Sequence, residues 1–141
     1  MADIHPQLEN DCLIIGRFPL CNLLLNKDAN YPWFILVPDR EDIGEIYQLS
    51  ATDQQQLIRE SSYLSKELAT HFEADKMNVA ALGNIVPQLH IHLIVRYKND
   101  IAWPAPVWGH AAPKPYREDQ LDDLLEKLRG LCLSDFVYSD L

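Results

Sequence analysis

The feature that most constrains this chain is the run Gln88-Leu89-His90-Ile91-His92-Leu93-Ile94, set just after Pro87. In an extended strand successive side chains point to opposite faces, so Leu89, Ile91 and Leu93 share one face while Gln88, His90 and His92 share the other. Each apolar member is worth roughly 1.5–3 kcal/mol when buried, and a slip of one residue would turn the set to the wrong face. The pattern therefore predicts a fixed register presenting two imidazoles and an amide in a row. Pro87 has no N–H for a ladder and limits where the strand begins.

Around that strand the reading is α+β. Residues 12–18 (CLIIGRF), 21–25 (CNLLL) and 33–37 (WFILV) read as strands bordered by Asn, Asp and Pro turn formers. Residues 77–82 (MNVAAL) and 89–97 (LHIHLIVRY) supply two more, flanking a loop that carries Gly83 and Asn84. A helix over about 52–72 is predicted from Leu57, Leu64, Leu68 and Phe72 at helical spacing, with Ser61 between and Thr52 as its cap. A last helix over about 118–131 turns Leu121, Leu124, Leu125 and Leu128 inward. The expectation is one domain over residues 1–141, a mainly antiparallel five-stranded sheet with the long helix on one face. Residues 101–115 hold four prolines and two tryptophans, including 103–109 (WPAPVWG), too proline-rich for helix or central strand. A packed surface arm is expected there, in preference to a flap over a cleft or a partner subunit.

Composition narrows function. With 12 Lys+Arg against 21 Asp+Glu the net charge is −9 and the pI near 4.8. Such a surface repels polyanions and anionic lipid over a Debye length of about 10 Å, so nucleic-acid polymers and membranes are not expected partners. A small anion in a locally favourable pocket is compatible with it. Cys12, Cys21 and Cys132 form no CxxC pair and read as three reduced thiols. The first residues lack a basic n-region and an apolar h-region, and no apolar run is long enough to span a bilayer. A cytoplasmic protein is the expectation.

Paired imidazoles suit transfer at phosphorus. One attacks as a neutral nucleophile while the other donates a hydrogen bond or proton, and their ordinary pKa near 6.5 makes both forms available. Gly83 and Asn84 can bring backbone N–H groups to an oxyanion. No cofactor is required. Two histidines at this spacing also occur as metal ligands. Such a site wants a third histidine and a carboxylate, and the nearest acid beyond His92 is Asp100, so a metal is not expected. His5, His71 and His110 stand alone and suit surface or capping roles. Arg40 and Arg96 can add local positive charge or form surface ion pairs.

The stretch 88–94 resembles the signature of the histidine triad (HIT) superfamily, His-φ-His-φ-His-φ-φ with φ apolar, with Gln88 in the first place. The resemblance extends through 23–26 (LLLN), 31–38 (YPWFILVP), the helix and the Gly83-Asn84 loop, over roughly residues 10–103. It implies a HIT-like fold and a nucleotide hydrolase or transferase acting at the α-phosphate of dinucleoside polyphosphates or nucleoside phosphoramidates. It implies His90 as the nucleophile that becomes nucleotidylated, and His92 on the phosphate and leaving-group side. Asn26 would hold the ribose hydroxyls and Asn84 would lie near the leaving group. A homodimer sharing helix and sheet is implied in the same way. Two residues depart from the family pattern: Gln88 cannot carry a proton as histidine does, and Trp33 stands where many members have a fourth histidine. The alternative is a nucleotide-binding HIT-like module with little or no turnover.

Overall fold

The computed structural model describes residues 2–139. Met1, Asp140 and Leu141, the ends of the expected 1–141 domain, lie outside them. The elements in chain order are α1 (Pro6–Asp11), β1 (Cys12–Arg17), β2 (Cys21–Asn26), β3 (Trp33–Pro38), α2 (Ala51–His71), β4 (Lys76–Ala80), β5 (Ile91–Arg96), α3 (Glu118–Arg129) and β6 (Val137–Tyr138). One antiparallel sheet runs in the order β4-β5-β3-β2-β1-β6. The sheet thus has six strands where five were expected. The sixth is a two-residue pairing of Val137 and Tyr138 with Arg17 and Gly16, too short to leave a pattern in the sequence. Gly16 is required there, because a Cβ would sit 2.4 Å from the Val137 carbonyl and 2.6 Å from the Phe136 ring.

Strand alternation divides the molecule into two layers of contact. Leu23, Leu25, Phe34, Leu36, Ile91, Leu93 and Val95 turn toward α2 and pack with Leu57, Leu64, Leu68 and Phe72. Leu125 and Leu128 of α3 join the same cluster. The long helix is capped two residues earlier than expected, by Ser50 in place of Thr52: Ser50 Oγ accepts from the Asp53 N–H at 3.1 Å. Its buried face carries Glu60, not Ser61. The Glu60 carboxylate accepts from the backbone N–H groups of Leu20 and Cys21, both at 2.9 Å, and so satisfies the turn joining β1 to β2.

The opposite face carries Leu24, Trp33, Ile35, Val37 and Ile94, covered by Leu8 of α1 and by Ala102 and Val107 of the proline-rich segment. That segment is held by Arg96, which is 1% exposed and is no surface ion-pair residue. Its guanidinium donates to both Asp100 carboxylate oxygens at 2.8 and 3.0 Å, to Asn78 Oδ1 at 2.8 Å and to the Ala105 carbonyl at 2.9 Å. It also lies 5.6 Å from the ring centroids of Tyr31 and Trp103. Further along, the segment pairs with the loop after β2 through Ala29 N–H on the Lys114 carbonyl at 2.7 Å. Arg40, by contrast, makes the expected ion pair, with Asp53. No helix among the described residues is long and apolar enough to cross a membrane.

Candidate active site

The predicted strand 89–97 is shorter than its pattern: ladder pairing begins at Ile91. Leu89 N–H goes instead to the Ile43 carbonyl at 2.9 Å, so Gln88, Leu89 and His90 approach the sheet as a bent lead-in. Leu89, Ile91 and Leu93 do face the α2 core. His90 and His92 lie on the other side, 7% and 6% exposed, with ring centroids 4.9 Å apart.

The two rings are fixed in different ways. His90 Nδ1 stands 2.7 Å from the Gln88 carbonyl. A carbonyl only accepts, so Nδ1 carries a hydrogen, which in the neutral ring puts the lone pair on Nε2. His92 Nδ1 accepts from the Trp33 indole N–H at 2.9 Å. That contact follows from sheet register. Trp33 pairs with Ile94 and Ile35 with His92, which makes Trp33 the diagonal neighbour of His92 on one face. Burial, with a smaller contribution from the neighbouring His90, pushes the His92 pKa from its ordinary 6.5 down to about 4. His92 is therefore neutral near pH 7 and carries its hydrogen on Nε2.

Both imidazoles open into a cleft of about 460 Å³, within the roughly 300–1,000 Å³ common for small-ligand sites. Its apolar wall includes Leu8, Ile35, Leu82 and Val86; Asn26, Gly83 and Asn84 also line it. Asn26 Oδ1 accepts from Asp28 N–H at 2.9 Å. Gly83 has φ +73°, a left-handed conformation that glycine adopts without strain. Cys12, opposite Asn26 in the sheet, forms part of the floor, and burial pushes its thiol up to about 12, so it stays protonated. Among the described residues, the lining contains no lysine or arginine.

Gln88 is placed elsewhere. Its side-chain oxygen accepts from His5 N–H at 2.8 Å and its amide donates to the Asp3 carbonyl at 3.0 Å. It lines the adjoining pockets, one of them together with His90, and ties the N-terminal segment beside the site, while the cleft holding both histidines is lined without it. His5 caps α1 through Nδ1, His71 ends α2, and His110 is exposed. No group of three or more His, Cys, Asp or Glu suited to a metal ion occurs among the described residues.

Two contributors escaped the sequence reading. The segment 101–115 does not merely pack on the surface: it folds against the cleft, setting the Trp108 ring 5.0 Å from His92 and 5.6 Å from Trp33. Its composition marked it as unusual but could not say where it docks. The other is α1, whose Gln7, Leu8 and Asp11 close one side. Its signal was Pro6 at the first turn behind the capping His5.

An antiparallel α+β domain with two adjacent, buried imidazoles at the lip of a cleft defines the class. The HIT domain model matches residues 7–99, and the chain belongs to that family. It is similar to a histidine triad protein from Bradyrhizobium japonicum, with 44% identity over 93% of this chain and 98% of that one and a TM-score of 0.90. A histidine triad protein from Marinobacter aquaeolei is 50% identical over 92% and 94% of the two chains, with a TM-score of 0.88. One from Sinorhizobium meliloti is 38% identical over 90% and 94%, with a TM-score of 0.87. No curated protein matches. These solved structures extend the likeness well beyond residue 103, into the proline-rich segment and α3. Family membership points to nucleotide binding or to hydrolase or transferase activity.

Proposed function

We propose that this protein is a nucleotide hydrolase or nucleotidyl transferase that acts at the α-phosphate of dinucleoside polyphosphates or nucleoside phosphoramidates. The observation that carries the reading is the opposed protonation of two neighbouring rings. His90 is held with its Nε2 lone pair outward, and His92 is neutral with Nε2–H outward. His90 Nε2 bonds to the α-phosphorus as the bond to the leaving group breaks, and the electron pair departs with that group. His92 Nε2–H donates a hydrogen bond to the reacting phosphate. Water then attacks phosphorus, the P–N bond returns its pair to His90, and the proton lost by water passes to solvent. The Asn26 amide holds the ribose hydroxyls, and Gly83 and Asn84 line the phosphate side. Gln88 takes part indirectly, through the carbonyl that orients His90 and the amide that anchors the N-terminal segment.

Residue exposure supports a homodimer. β4 is an edge strand with Val79 53% exposed, and Ile58 on α2 is 63% exposed; pairing of these in a second copy would cover both. A cytoplasmic setting is supported by the unpaired Cys12, Cys21 and Cys132. The test is chromatography of diadenosine polyphosphates and adenosine phosphoramidate incubated with wild type and His90→Ala in the presence of chelator. Turnover of at least one of these by wild type, and of neither by His90→Ala, is expected. Nucleotide binding without turnover would favour the binding-module alternative, and equal turnover by both proteins would remove His90 from its role.

A further inference from the structure

Trp33 stands where the resemblance places a fourth histidine in many members, and the structure gives the indole a specific task. We propose that Trp33 is a positioning residue that holds His92 as the neutral Nε2–H tautomer, so that the site expels leaving groups stable as anions and is poor toward basic amines. The inference rests on nucleotidyl transfer through His90 and narrows its substrate class.

An indole N–H donates and never accepts. At 2.9 Å from His92 Nδ1, it leaves no room for a second hydrogen on that nitrogen. His92 then owns a single N-bound hydrogen, on Nε2. Passing it to a leaving group would leave an imidazolate, so the ring serves as a hydrogen-bond donor and not as a general acid. The surroundings reinforce the constraint. The indole is 7% exposed and is gripped edge-on by Tyr31 and Trp108, with centroids 6.2 and 5.6 Å away. The titratable or charged groups that face His92 or share its surface are His90, Asp11 of α1, Cys12 of β1 and Arg96 on its own strand. Asp11 and Cys12 line the same cleft but stand at β1, three strands from β5, and the Arg96 charge is neutralised by Asp100.

The consequence is a matter of proton balance. When His90 displaces a phosphate or carboxylate from the α-phosphorus, the bonding pair leaves as a weakly basic anion and no proton is needed. When the leaving group is an alkylamine, the pair must be protonated as the P–N bond breaks, and no ring in the cleft can spare a proton. Phosphoanhydrides and mixed carboxylic anhydrides of a nucleotide are the class the site is built to cleave.

Two measurements decide this. In the first, protein labelled with ¹⁵N-histidine is titrated without substrate and the His92 ring nitrogens are followed by NMR. The expected result is a single neutral Nε2–H ring at pH 6, giving way in Trp33→Phe to a mixture of Nδ1–H and Nε2–H rings. An Nδ1–H or imidazolium ring in the wild type at pH 6 would overturn the lock, with no variant needed. In the second, kcat/KM at pH 6 is compared for the p-nitrophenyl ester of adenosine 5′-phosphate and an alkylamine phosphoramidate of the same nucleotide. The wild type should favour the ester by at least about 100-fold, the lower range of what a missing general acid costs, and Trp33→Phe should lower kcat/KM for both substrates as the fixed Nε2–H donor is lost. A wild type that cleaves the phosphoramidate as fast as the ester would overturn the leaving-group selectivity. Loss of turnover on both substrates in the wild type would overturn the transfer reading itself, while the tautomer is decided by the spectrum alone.

Discussion

The two faces of the sheet are built on different terms. The α2 face is dry and periodic. One 21-residue helix lays Leu57, Leu64 and Leu68 on alternate residues of the central strands, and its buried carboxylate, Glu60, is engaged by two backbone N–H groups and the Gln56 amide. The cleft face is assembled from short pieces, α1 and the proline-rich segment, and polar anchors hold those pieces in place. Hydrophobic burial is non-directional and tolerates small adjustments, whereas hydrogen-bonded anchors fix position and lose their effect when one partner is removed. A site needing its rings held to within a fraction of an ångström is better placed on the second kind of face.

This contrast can be broken from either side. The largest effect is expected from Arg96→Ala. It strands Asp100 in the interior and should cost about 3–5 kcal/mol, as removal of one partner of a buried pair does. Urea unfolding would measure the loss, and the change should include release of Trp103 and Trp108, visible as altered tryptophan fluorescence before global unfolding. Leu64→Ala, at a site with no exposure, should cost about 2–5 kcal/mol through the cavity it leaves. It should do so without a separate fluorescence phase, because the α2 face fails together with the whole sheet. A single common transition for both variants would erase the distinction between the faces.

A smaller effect separates the faces by pH. The His92 pKa is lowered on folding, from 6.5 to about 4. Across that interval the unfolded chain binds more protons than the native one, so native stability falls as pH drops from 6.5 toward 4 and is fully present above 6.5. The shift corresponds to about 3.5 kcal/mol at most, at about 1.4 kcal/mol per pH unit. Asp100 lies in a different window. Burial opposes its ionisation, but Arg96 and the N–H groups of Tyr97 and Trp103 outweigh it and hold the carboxyl below its ordinary 3.8, so its contribution is lost only at lower pH. His92→Gln should flatten the stability profile between pH 6.5 and 4, while Leu64→Ala should lower it without changing its slope. A wild-type profile already flat there would contradict the neutral, buried ring.

What was legible in the sequence follows the same division. The α2 face rests on period-2 and period-3.6 patterns, so its strands and helix were read to within a few residues and the identity of its core leucines was plain. His90 and His92 were legible because the apolar residues between them fix the register. Gln88 was misplaced in that row because Pro87 and the Leu89 contact with Ile43 bend the chain ahead of the ladder. Trp108 was not placed because a segment of prolines and turns has no periodicity, and its docking depends on Arg96, an arginine that looks like a surface residue until Asp100 and the Ala105 carbonyl are seen around it. Strand β6 is two residues long and carries no pattern of its own.

The central claim is that His90 becomes covalently nucleotidylated, and intact-protein mass spectrometry after rapid mixing and quenching tests it most directly. Wild type mixed with diadenosine triphosphate in chelator should gain the mass of one adenylyl group, mapping to the peptide that contains His90 and absent from His90→Ala. Turnover with no adduct at any mixing time, or an adduct that persists in His90→Ala, would contradict the account.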